Sequence, residues 1–142
     1  MKTVLRTASL SLGLGLGLAL AAPAAAQDDV DTDPAVSQGE ERLARLLEGR
    51  VAGEPQDCIR DFGNRRITII DRTALVFHVG DTVWVNRTEN PEQIDDWDRL
   101  VFRKFTASRT CNHEPVTTEN RQTGIYTGNL FLTDFVPYRR VD

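Results

Sequence analysis

The chain holds 142 residues, 40% of them hydrophobic, with 17 basic against 21 acidic side chains and a formal charge of −4. That length suits one domain with a modest core. The acidic balance argues against nucleic acid or an anionic membrane as the main partner. Two cysteines and two histidines are too few for a cluster of soft metal ligands.

Residues 1–26 read as a signal peptide. Lys2 and Arg6 precede an apolar run over residues 10–22, and Ala24-Ala25-Ala26 offers small residues before cleavage at Gln27. The run is too short for a membrane span, and no cysteine stands nearby to carry a lipid. Gly13, Gly15 and Gly17 belong to this leader and not to a nucleotide loop. Its removal takes 17 basic residues to 15 against 21 acidic, a balance of about −6. The expected mature chain has no transmembrane span and is periplasmic or secreted.

Residues 27–36, QDDVDTDPAV, are acidic and poor in large apolar groups, which predicts a flexible leader. A single domain is then expected over residues 37–142. Ser37 and Glu40 have the spacing of a capping box, and Leu43, Leu46 and Leu47 make one apolar stripe. Gly49 can end this helix in a left-handed conformation. An isolated helix of three turns is marginal in water, so its stripe is expected to dock on the protein's own sheet. Residues 50–56, with Gly53 and Pro55, read as a connector. Cys58-Ile59 opens the first expected strand. Gly63-Asn64 suits a turn, residues 65–70 a strand, and Asp71-Arg72 the next turn.

Residues 74–87, ALVFHVGDTVWVNR, carry the strongest signal in the chain: two runs of β-formers around Gly80-Asp81. A two-residue turn sets Val79 opposite Thr82, Phe77 opposite Trp84 and Leu75 opposite Asn86. Both faces of this hairpin are apolar, so it is expected at the centre, covered on each side. Pro91-Glu92-Gln93 can open one short helical turn, and Ile94 and Trp97 could plug a sheet edge. Residues 100–105 read as a strand with Leu100 and Phe102 on one face, and residues 108–118 as a polar return carrying Cys111. Residues 123–129 hold a short β piece between two glycines. Residues 129–136, NLFLTDFV, read as the last strong strand, with a bulge near Asp134 and Pro137 at its end. The expected fold is mainly β within the α+β class: a small antiparallel curled sheet or barrel with one N-terminal helix packed on it.

Export makes a Cys58–Cys111 disulfide the expected state of the two cysteines. It would close a loop of roughly 54 residues and contribute about 4 kcal/mol. A reactive Cys111 beside His113 is the rival, and requires the disulfide to be absent. His78 and His113 lack a ligand spacing. Glu92, Asp95, Asp96 and Asp98 lack the glycine and the spacing of a calcium loop. No metal and no cofactor is therefore expected, and no catalytic residue stands out. Asn86-Arg87-Thr88 matches a glycosylation triplet, a short pattern common by chance. Arg65, Arg66, Arg139 and Arg140 could meet on one side to bind an anion. Trp97, Tyr126 and Tyr138 are candidate aromatic anchors, because aromatic and arginine side chains dominate recognition surfaces.

The segments RLARLLEGRVAGEPQDCI and IIDRTALVFHVGDTVWVNR, the later Cys111 and the closing FVPYRR resemble uncharacterised exported proteins of alphaproteobacteria, sphingomonad-like in kind. The resemblance covers nearly all of the mature region. It implies export and a structural cysteine pair, and assigns no chemistry. The expected function is a non-enzymatic exported protein that binds a partner or a small ligand. A small periplasmic hydrolase is the alternative.

Overall fold

The computed structural model describes residues 33–60 and 66–141. The expected signal peptide, residues 27–32 of the expected leader, the expected Gly63-Asn64 turn and Arg65 lie outside the described residues. Among the described residues, no helix is long and apolar enough to cross a membrane.

Helix α1 (Pro34–Leu47) starts ahead of the expected Ser37. Asp33 is its cap, accepting a hydrogen bond from the Ala35 N–H at 2.9 Å. Pro34 fills the first helical turn, where a missing N–H has no partner to lose. Ser37 is thus an interior position, and Glu40, expected to close a capping box, pairs with Arg87. Leu43 is buried with Leu46 and Leu47 partly buried beside it. The stripe therefore docks on the protein's own sheet, as expected. Gly49 follows the helix at φ 69°, a conformation that glycine adopts without steric cost.

Strands β4 (Ala74–Val79) and β5 (Thr82–Asn86) form the central hairpin in the expected register: Val79 opposite Thr82, Phe77 opposite Trp84, Leu75 opposite Asn86. Gly80 takes φ 58° in the two-residue turn. β3 (Arg66–Ile70) pairs with β4 to complete a meander. On the other side, β5 pairs with β10 (Val136–Arg140), and β10 with β1 (Arg50–Ala52). The order of this antiparallel sheet is β1-β10-β5-β4-β3.

Two expectations shift here. The segment read as a connector contains β1, whose partner lies at the far end of the chain. The last strand begins only at Val136, so Leu132 and Phe135 reach the core from outside a named strand. Pro137 sits inside this strand, with its carbonyl accepting from the Gly53 N–H at 2.7 Å just past the end of β1. Its missing donor faces the same side, where the ladder to β1 is already ending.

The remaining strands form two smaller antiparallel sheets. β2 (Cys58–Arg60) pairs with β7 (Arg109–Cys111). β6 (Asp98–Phe102), β8 (Val116–Asn120) and β9 (Tyr126–Leu130) follow the order β6-β8-β9. The region read as one polar return thus supplies both β7 and the start of β8. The register shift lies between Thr118 and Glu119, on the ladder to β9, and not near Asp134. Among the described residues the fold is α+β with one α-helix, and its strands divide among three sheets where one curled sheet or barrel was expected.

The core has two parts, one on each face of the central hairpin. Leu75, Phe77 and Trp84 join Ile59, Ile94, Val116, Leu130, Leu132 and Phe135. The Phe77 ring meets Phe135 edge-on at 5.4 Å. On the opposite face Val76, Val83 and Val85 pack with Leu43, Ile70 and Ala74. Ile94 is 1% exposed, whereas Trp97 is 76% exposed and plugs nothing. Three-residue spacing shares a face only on a helix, and the single helical turn ends at Gln93.

Candidate anion-binding cleft

The β2–β7 ribbon has three residue pairs: Cys58 with Cys111, Ile59 with Thr110, and Arg60 with Arg109. Side chains alternate along a strand, so the middle pair takes one face and the outer pairs the other. Ile59 and Thr110 are buried. Cys58 and Cys111 are bonded to each other, with Cα atoms 4.0 Å apart. This confirms the expected disulfide and removes the thiol that a Cys111–His113 pair would need.

The Asn112 N–H donates to the Asp57 carbonyl at 2.8 Å. That bond makes the cysteine pair a non-hydrogen-bonded one, and by alternation the Arg60–Arg109 pair is of the same type. Side chains of such pairs approach most closely, and like charges so placed destabilise the ladder. Two residues from the disulfide, the chain therefore sets two arginines directly opposite each other.

These arginines line an open cleft of about 700 Å³ together with Gln56, Cys58, Val79, Thr82, Trp84, Ser108 and Arg139. Arg139 reaches it because it shares a β10 face with Pro137, which stands opposite Trp84. Among the described residues the lining is cationic and contains no carboxylate. Elsewhere arginine meets acid: Arg42 with Asp96, Arg45 with Glu41, Arg72 with Asp33, Arg87 with Glu40, Arg99 with Glu119. Among the described residues none of these pairs includes Arg60, Arg109 or Arg139.

The expected binding residues are dispersed. Arg139 lies in the cleft, while Arg140 alternates to the other face and stands opposite Arg50. Arg66 stands opposite His78 on β3. Tyr138 packs against the cluster under α1. Trp97 and Tyr126 are exposed by the three-stranded sheet. Arg60 and Arg109 were missed, yet a signal exists: Cys-x-Arg and Arg-x-Cys are mirror spacings, so pairing the cysteines antiparallel also pairs the arginines.

The histidines stand apart from the cleft. His78 is half-buried, its Nε2 3.1 Å from the Thr68 hydroxyl. Burial, then the Arg66 and Arg50 charges, hold its pKa below the ordinary histidine value. His113 stacks on Phe105 at 6.2 Å. The buried Glu114 carboxylate accepts from the Phe105 and Cys111 N–H groups and so fastens the 105–114 loop. In the acidic stretch, Asp95 and Asp96 lie with Asp71, their carboxylate oxygens within 4.8 Å of one another. Burial and then these two neighbours push the Asp71 carboxyl up.

No family model matches the chain, and no curated protein or solved structure is significantly similar to it.

Proposed function

We propose that this is a non-enzymatic exported protein, periplasmic or secreted, that takes the anionic group of a small ligand or partner into the Arg60–Arg109–Arg139 cleft. One observation carries the reading: Arg60 and Arg109 are directly opposed on a ribbon fixed by a disulfide, with no acid of the described residues lining the cleft beside them. A carboxylate, phosphate or sulfate between the two guanidinium groups relieves their repulsion and gains charge-assisted hydrogen bonds. Arg139 adds a third donor group, and Trp84 and Val79 give the ligand an apolar wall. Among the described residues the lining offers no histidine or carboxylate to serve as a base, which supports binding over hydrolysis.

Calorimetric titration with phosphate, sulfate and citrate tests this. Saturable binding that weakens with added salt is expected. Arg60→Ala or Arg109→Ala should weaken it about 10- to 100-fold, the value of one lost charge-assisted contact. Arg109→Glu replaces a like-charge pair by an ion pair, and should abolish binding while raising the melting temperature. Absence of binding by all three anions, or binding undiminished in both alanine variants, overturns the proposal.

A further inference from the structure

Trp97 is the most exposed large hydrophobic side chain of the described residues, at 76%. It forms one wall of a separate cleft of about 530 Å³ whose other walls are Asp96, Asn120, Arg121 and Gln122. That volume is within the usual range of small-ligand sites. All four partners of the indole are planar polar groups, and among the described residues no aliphatic side chain lines the cleft.

The polar wall is built before any ligand arrives. The Asn120 side-chain oxygen accepts from the Gln122 and Thr123 N–H groups, each at 3.0 Å, and from the Thr123 hydroxyl. The Gly124 N–H closes the turn on the Asn120 carbonyl at 2.9 Å. Arg121 Nε donates to the Asp98 carbonyl at 3.0 Å. Beneath the indole, the Trp97 N–H donates to the Asp95 carboxylate at 2.8 Å.

These bonds consume specific atoms and leave others. Asn120 keeps its amide NH₂, Arg121 its two terminal nitrogens, and Gln122 its whole amide, none of them engaged among the described residues. The single carboxylate, Asp96, faces Arg42 at 3.7 Å. The cleft therefore offers mostly donors beside a flat aromatic face. From this we infer that the Trp97 cleft is a saccharide site, for a pyranose bearing a carbonyl substituent, either N-acetyl or carboxylate. The C–H bonds on one face of a pyranose are weakly positive and apolar, and match the negative face of the indole. Ring hydroxyls and the carbonyl oxygen supply the acceptors that Asn120, Arg121 and Gln122 lack. A protein hot spot would surround its tryptophan with apolar groups that exclude water, and this cleft has none.

The test is titration of the intact protein with diacetylchitobiose, digalacturonate and cellobiose, followed by amide and indole NMR. The indole resonances of Trp97 and Trp84 report separately. Saturable shifts at Trp97 and the Gln122 side chain are expected with the first two sugars, and with the uncharged diacetylchitobiose Trp84 stays unmoved. Trp97→Ala should weaken binding more than tenfold, and Gln122→Ala several-fold, both with unchanged melting temperature. No saturable shift with any of the sugars, or Gln122 side-chain shifts that persist in Trp97→Ala, overturn the inference. Cellobiose binding as tightly as the other two overturns the role given to the carbonyl. Self-association abolished by Trp97→Ala would make this a contact between copies and overturn it as well.

Discussion

Asn86 shows how one polar side chain can tie distant segments together. It ends the central hairpin at 0% exposure. Its side-chain oxygen accepts from the Thr88 N–H at 3.1 Å and the Thr133 N–H at 3.2 Å, and its NH₂ donates to the Thr133 carbonyl. The glycosylation triplet is therefore closed to modification in the folded chain. Asn86→Ala strands three backbone groups, and should cost about 3 kcal/mol in denaturant unfolding. His78 gives the protein a pH dependence. Its pKa is lowered by folding, so the unfolded chain takes up a proton first as pH falls. The contribution of neutral His78 to stability is complete above about 6.5 and is lost as pH drops below that value. Melting temperatures between pH 7 and pH 5 should fall less steeply in His78→Gln than in the wild type.

At the scale of elements, α1 reaches its place through Gly39. A Cβ there would meet the Thr73 hydroxyl oxygen at 1.8 Å and the Asp71 carbonyl at 3.0 Å. Gly39→Ala should destabilise the protein by about 1–3 kcal/mol despite its better helix propensity. Adding Thr73→Ala should recover part of that loss, as a double-mutant cycle by chemical denaturation can measure. The elements differ in how far the sequence announces them, and the cause is locality. In the hairpin, a two-residue turn fixes every pair from Val79–Thr82 to Leu75–Asn86, so its register can be read from a single stretch. Asp33-Pro34 is as sound a helix start as Ser37 with Glu40, and local pattern does not rank the two. β1 is three residues long and its partner stands near the other end of the chain, so nothing around Arg50 announces it. The three-residue spacing of Ile94 and Trp97 would share a face only on a helix, and the helical turn ends at Gln93.

For the whole molecule, the cleft was illegible until two segments were paired. Arg139 was singled out because Arg139-Arg140 is a conspicuous doublet, although alternation sends its two members to opposite faces. Arg60 and Arg109 are isolated in the sequence and become neighbours only across the ribbon. That ribbon carries a consequence of its own. Among the described residues it has three pairs, one of them two opposed cations, and the sulfur–sulfur bond beside them holds it closed. A dithiol reductant that donates two electrons and two protons frees Cys58 and Cys111 as thiols and lets the arginines part. Occupation of the cleft and closure of the bond thus form one thermodynamic cycle, in which each must favour the other by the same factor. Phosphate or citrate, whichever binds, should protect the disulfide, shifting reduction by dithiothreitol to higher reductant concentration. The reduced protein, under conditions where it stays folded, should bind the anion more weakly by the same ratio. Arg60→Ala should erase both effects, and equal reduction curves with and without a bound anion would show the two events to be independent. A protein so built would release a bound anion on entering a reducing environment.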